Sequence, residues 1–210
     1  MIRILIADDH AVVRKGVRHI LSEIPDKIVA REAADSAEIM KRVRQDDYDI
    51  VLLDIAMPGK DGLETLKEIK SEKPKLPVLI LSMFPEEQFA LRALKSGASG
   101  YLTKESIPEE LIKAIQKIIK GGKYISESFS DELLVSMGRD VEQLPHEALS
   151  DREYQVMLMI ASGKTRKEIA EKLFLSVKTV STYRTRILEK MELKTNADLT
   201  NYVNQHNLKV

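Results

Sequence analysis

Cysteine is absent from all 210 residues. Disulfides, thiolate metal sites and thiol nucleophiles are excluded with it, and the chain fits a reducing compartment. Aromatic residues make up only 5% of the sequence, but 43% of residues are hydrophobic, enough to build compact cores. Long apolar runs are missing too. The longest, such as Pro77 to Leu81, are strand-sized, far short of the roughly 20 residues that span a bilayer. The opening MIRILIADDH meets two acids after a short apolar run, and it lacks the basic, apolar and cleavage regions of a signal peptide. A soluble cytoplasmic protein with no membrane partner is expected. Net charge is also absent, with 33 basic and 33 acidic residues, but the average hides an asymmetry. Residues 150–210 carry eleven Lys/Arg against seven Asp/Glu, and residues 163–190 carry eight against three. A modest basic surface near the C-terminus suits a phosphate-rich partner.

A chain of this length holds one or two domains. Apolar, strand-like runs occur at 2–7, 28–31, 50–54, 78–82 and 100–103, and amphipathic stretches lie near 12–23, 36–46, 62–71, 86–96 and 107–120. In the last, Ile107, Leu111, Ala114, Ile115, Ile118 and Ile119 recur at helical spacing. Ser106 and Glu109 read as a capping box, and Gly121 and Gly122 end that helix. Five βα units predict a parallel sheet with helices on both faces. The runs IVLLD and VLILS lack alternation, as strands covered on both sides should. The first domain is assigned to 1–121. Residues 122–147 read as a linker with a short helix from Asp131 to Met137, and an all-helical pattern fills 148–210.

In parallel sheets, ligands bind at the carboxyl ends of the strands. Asp8 and Asp9 follow the first strand there, Asp54 ends the third, Ser82 ends the fourth and Lys104 follows the fifth. Adjacent strand ends converge, so these side chains can share one pocket although they lie far apart in sequence. Clustered carboxylates repel unless a cation neutralises them, and hard oxygen ligands at an open site suit Mg²⁺. Asp54 can then act as a nucleophile toward a phosphoryl donor and form an acyl phosphate. Mg²⁺ and the Lys104 ammonium would stabilise charge on the transferring oxygens, and Ser82 can donate a hydrogen bond to the new group. His10 has no second histidine at ligand spacing, so it reads as a loop or helix-start residue.

The pieces IADDH, LLDIAMPGKDG, LILS and GYLTK make residues 1–121 resemble the flavodoxin-like receiver domain of a two-component response regulator. The resemblance implies that a histidine kinase phosphorylates Asp54. It implies that Asp8, Asp9 and Asp54, with the main-chain carbonyl of Ala56, bind Mg²⁺. It also implies that Lys104 pairs with the phosphoryl group and that Ser82 and Tyr101 form a switch pair. In that mechanism Ser82 moves toward the phosphoryl group and Tyr101 turns inward. Ala56 offers no side chain to position an attacking water, and Met83 and Phe84 flank the site, so a long-lived phosphoryl group is expected.

Toward the C-terminus, Ser150 with Glu153 and Thr165 with Glu168 form two capping boxes. Gly163 ends the helix between them. A tight turn at Phe174 and Leu175 leads to Ser176 as the next N-cap, and a longer helix runs to about Met191. Thr195 opens a last helix. A short helix, a tight turn and a long polar-faced helix make a helix-turn-helix, whose second helix enters the major groove. The stretch from LSDREYQVM to ILEKMEL makes residues 148–205 resemble the LuxR-type domain of NarL/FixJ regulators. That likeness places Lys178, Ser181, Thr182 and Thr185 on the groove-facing side, with Thr179 beside them. Lys164, Lys167, Arg184, Arg186, Lys190 and Lys194 could hold phosphates. Many family members carry a basic residue where Ser181 stands and a histidine where Tyr183 stands, so the target sequence does not carry over. Double-stranded promoter DNA, a histidine kinase and a second copy of the chain are the expected partners, with RNA polymerase as a further candidate.

Two other functions compete with this reading. A Mg²⁺-dependent aspartyl-nucleophile phosphatase of the haloacid-dehalogenase type needs a second Asp two residues after the nucleophile, where this chain has Ala56. A phosphorylation-controlled interaction protein without DNA binding would not need the basic helix.

Overall fold

The structure is a computed structural model. It describes all residues except 25–26, 56, 58–61, 127–128, 131–143, 207 and 209–210. The chain divides into two compact units, Met1–Ser136 and Met137–Val210.

In the first unit, β1 (Ile2–Ala7), β2 (Ile28–Ala33), β3 (Ile50–Asp54), β4 (Val78–Ser82) and β5 (Gly100–Thr103) form one parallel sheet. Its order is β2-β1-β3-β4-β5. Every residue of β3 and β4 is buried, which explains their unbroken apolar sequences. Helices α1 (Ala11–Leu21), α2 (Ser36–Gln45), α3 (Gly62–Glu72), α4 (Glu86–Lys95) and α5 (Ile107–Ile119) connect and follow the strands. The chain leaves β1 for β2 on one side and reaches β3 on the other, so the topological switch point lies between β1 and β3. The register pairs Ala7 with Leu53, Asp54 with Leu81, and Ser82 with Thr103. The ends of β1, β3, β4 and β5 are therefore level, and the residues just past them meet.

Val17 and Leu21 of α1 and Leu111, Ala114, Ile115 and Ile118 of α5 pack with Ile4, Ile6, Leu52 and Leu81 in one buried cluster. Each fully buried Leu or Ile there contributes about 1.5–3 kcal/mol over an exposed one. The capping box expected at Ser106 does not form. Ser106 has helical backbone angles and no capping bond from its side chain; its hydroxyl instead meets the Thr103 hydroxyl at 2.7 Å. A cap needs extended backbone at that position, and the tight β5–α5 turn does not supply it. Beyond Gly121, whose φ is +87°, the chain turns back along the sheet edge. Tyr124 donates its amide to the Ser99 carbonyl, and its own carbonyl accepts from Tyr101. Ser126 then donates its amide and hydroxyl to the Glu86 carboxylate. The start of the stretch read as a linker is thus paired with β5 and tied to α4. The short helix expected at 131–137 lies outside the described residues.

The second unit holds a 3-10 turn (Pro145–Ala148) and helices α6 (Asp151–Ala161), α7 (Arg166–Lys172), α8 (Val177–Lys190) and α9 (Asn196–Gln205). The capping boxes at Ser150 and Thr165 form as expected, and a third joins Thr195 to Asp198. The α7–α8 turn places Phe174 at φ +53°.

Candidate functional site

Asp8, Asp54 and Ser82 are fully buried at the carboxyl edge of the sheet. The Lys104 ammonium lies 2.7 Å from Asp8 Oδ2 and 2.8 Å from Asp54 Oδ2. Burial opposes its charge, but the Asp54 and Asp8 carboxylates outweigh that and raise the lysine above its ordinary value. A buried lysine stays protonated here because it faces two anions. Asp8 Oδ1 also accepts the His10 amide at 2.8 Å, which fixes the start of α1.

Ligand atoms of Asp8, Asp9, Asp54 and His10 all lie within 4.8 Å of one another. The carboxylate oxygens fit a hard divalent cation, and an imidazole nitrogen adds little for Mg²⁺. His10 occupies the N-cap of α1, as read from sequence. Its Nδ1 lies 2.8 Å from Asp9 Oδ1, a closeness that sequence spacing did not reveal. Ala56 lies outside the described residues.

Ser82 accepts the Phe84 amide at 3.0 Å, and Tyr101, fully buried, donates its hydroxyl to the Phe84 carbonyl at 2.9 Å. Both members of the expected switch pair therefore hold the same residue of the β4–α4 loop. The Tyr101 ring, expected to move inward on phosphorylation, is already inside. Met83 is exposed, and the Phe84 ring packs against Phe89 with centroids 4.9 Å apart and planes tilted by 39°.

The approach of α3 also shapes the site. A Cβ on Gly62 would lie 2.3 Å from Ile55 Cα and 2.8 Å from the Asp54 carbonyl oxygen. Only glycine lets α3 start against the backbone that carries Asp54. Arg14, which no sequence motif marks, also reaches this edge of the sheet. Its guanidinium reaches the carbonyls of Asp8 and Asp9 and the carboxylate of Glu32.

In the second unit, Lys178, Thr182 and Thr185 are exposed along one face of α8, with Ser181 half-buried beside them. The hydroxyls of Ser181, Thr182 and Thr185 donate to the carbonyls four residues earlier. Thr179 belongs to the cap, donating its amide to Ser176 Oγ. Arg186 and Lys167 are exposed. Two expected phosphate contacts have partners inside the unit. Lys190 donates to Glu153 at 2.6 Å, and Arg184 to Asn196 at 2.6 Å. Burial pushes the Glu153 carboxyl upward, but Lys190 and the Ser150 amide outweigh it and hold it below the ordinary value. Arg166, which the sequence reading passed over, donates to Ser181 Oγ at 3.3 Å.

Comparison with known proteins agrees with both halves. Residues 4–116 match the response regulator receiver domain, and residues 147–203 match the bacterial regulatory proteins of the luxR family. The chain is 39% identical over 207 residues to the oxygen regulatory protein NreC of Staphylococcus carnosus, covering 95% of each. It is 35% identical over 209 residues to the response regulator UvrY of Escherichia coli, covering 99% of this chain and 96% of that one. Among solved structures, RcsB from Salmonella enterica serovar Typhimurium, bound to promoter rprA with the phosphomimetic BeF3-, aligns at a TM-score of 0.62. That alignment is 28% identical and covers 97% of this chain and 99% of that one. Fold, paired sequence families and full-length relatives agree: the chain belongs to the NarL/FixJ-type response regulators, with a receiver domain followed by a LuxR-type helix-turn-helix DNA-binding domain.

Proposed function

We propose that a histidine kinase phosphorylates Asp54 and that this modification controls binding of α8 to promoter DNA. The observation that carries the reading is the Lys104 ammonium held between Asp8 and Asp54 at the sheet's switch point. An Asp54 carboxylate oxygen attacks the donor phosphorus as the P–N bond to the kinase imidazole breaks. The bonding pair returns to the imidazole, which takes up a proton. Lys104 already lies against the attacking carboxylate, so the charge of the acyl phosphate develops beside an ammonium that needs little rearrangement. Asp8, Asp9 and Asp54 would hold Mg²⁺, which supplies further positive charge to the transferring oxygens.

The new group carries roughly −1.5 to −2 charge and three acceptor oxygens. Ser82 Oγ accepts the Phe84 amide, and its hydroxyl hydrogen can donate to one of those oxygens at the same time. A shift of Ser82 toward the phosphoryl group would therefore pull on the β4–α4 loop that Tyr101 also grips. Inverting an equilibrium from about 1:99 to 99:1 would take about 5.5 kcal/mol of differential stabilisation. On the DNA side, α8 lies in the major groove with Lys178, Ser181, Thr182 and Thr185 toward base edges. Lys167 and Arg186 hold phosphates, and two copies of the chain bind paired half-sites. The protein works in the cytoplasm, since among the described residues no helix is long and apolar enough to cross a membrane and its phosphodonor and promoter are both intracellular. It is an acceptor in phosphotransfer, not an enzyme acting on a separate substrate.

Replacement of Asp54 by Asn tests the core of this reading. Phosphoryl labelling from a kinase or acetyl phosphate should fall to background while circular dichroism stays native. Undiminished labelling of the folded variant would overturn the assignment.

A further inference from the structure

Arg14 lies on α1, one turn past the strand end that carries Asp8 and Asp9. Its Nη1 donates to the Asp8 carbonyl at 2.7 Å and to the Asp9 carbonyl at 3.2 Å. Its Nε donates to Glu32 Oε2 on β2 at 2.9 Å, and the other Glu32 oxygen accepts from Arg18 at 3.0 Å. The Arg14 side chain is only 16% exposed. The hydrogen bond from Arg14, followed by that from Arg18, holds the Glu32 carboxyl below its ordinary value, so the acid is a firm anionic anchor.

We propose that Arg14, oriented by Glu32, is a positioning residue for the divalent-cation site. The inference rests on reading the acidic pocket as a Mg²⁺ site. Two consecutive carbonyls aimed at one guanidinium fix both peptide planes, and with them the directions in which the Asp8 and Asp9 side chains leave the backbone. A strand-end pair without that restraint would sample other dihedrals and hold its carboxylates less well arranged for an ion. Glu32 has a second effect. By pairing with Arg14 it offsets a positive charge that would otherwise compete with a cation nearby. Lysine cannot substitute, because its single ammonium lacks the planar fork that reaches two carbonyls and a carboxylate together. Partners that orient metal ligands typically change metal affinity by about 10–100-fold when removed.

The test titrates Mg²⁺ into the full-length wild type, Arg14→Lys and Glu32→Gln, following amide NMR shifts at residues 8–10, with melting curves recorded in parallel. Arg14→Lys keeps the charge and should bind Mg²⁺ about tenfold more weakly, with Glu32→Gln in the same direction and both variants still melting in one cooperative transition that shows them folded. The Mg²⁺ concentration for half-maximal labelling by acetyl phosphate should rise equally, while the rate at saturating Mg²⁺ holds. Wild-type Mg²⁺ affinity in folded Arg14→Lys overturns the inference and leaves the pocket reading intact. If Arg14→Lys does not fold, Glu32→Gln decides by the same criterion. Absence of saturable Mg²⁺ binding in the wild type would remove the pocket reading and this inference together.

Discussion

The two units handle charge in opposite ways. In the receiver the functional charges are buried and face one another: Asp8 and Asp54 are fully enclosed, with Lys104 between them. In the helix-turn-helix unit the candidate functional side chains Lys178, Thr182, Thr185, Arg186 and Lys167 stand in solvent. Removing a partner from a buried set leaves an uncompensated charge in a poorly solvated place, whereas an exposed charge is rehydrated at once. Substitutions that strip the first set of its counter-charge should therefore change stability and chemistry together. Substitutions in the second should change binding alone.

The largest stability effect is expected for Lys104→Met. It leaves the Asp8 and Asp54 carboxylates facing each other in the core without their ammonium. Breaking such a set costs about 3–5 kcal/mol, read as a lowered urea midpoint at neutral pH without divalent ions. Saturating Mg²⁺ should recover part of the loss. A variant as stable as the wild type would break the contrast between the units.

Gly62→Ala should cost slightly less, about 3 kcal/mol, because the added methyl meets backbone that cannot swing aside. The strain falls on Ile55 and the Asp54 carbonyl, so phosphoryl labelling should slow along with the loss of stability. An alanine variant with unchanged urea midpoint and labelling rate would show that α3 can start elsewhere.

The same contrast explains what could be read from the chain alone. The parallel sheet and the convergence of Asp8, Asp9, Asp54, Ser82 and Lys104 follow from apolar runs and a topological rule, because strand ends must meet whatever the side-chain details; the order β2-β1-β3-β4-β5 is read from the structure. The caps at Ser150 and Thr165 were legible because capping is local. Ser106 shows the limit of that logic, since the motif is present but the backbone angle, set by the turn after β5, is wrong. Arg14 was invisible for a related reason. Nothing in spacing says that a helical arginine will reach back to the carbonyls of residues five and six positions earlier, because that depends on where Glu32 of the neighbouring strand holds its guanidinium. Lys190 and Arg184 look like phosphate contacts by residue type, and that reading could not show that each also has a partner within the unit, Glu153 and Asn196. Exposed residues of α8 are easy to place on a face and hard to rank, since what they contact is another molecule.

The smallest stability effects belong to that exposed face, and there the two kinds of contact can be separated. Thr182→Val removes a hydroxyl from the groove-facing side of α8 and should leave melting within about 0.5 kcal/mol of the wild type. If Thr182 meets a base edge, affinity for the specific promoter should drop by about 1–3 kcal/mol while affinity for random duplex stays level. Lys167→Ala should weaken specific and random DNA alike and lower the slope of log affinity against log salt by about 1. Quantitative gel shifts across a salt series check both. Equal losses on the two DNAs for Thr182→Val would move that side chain from base reading to backbone support, and the groove-facing side of α8 would need to be redrawn about the helix axis.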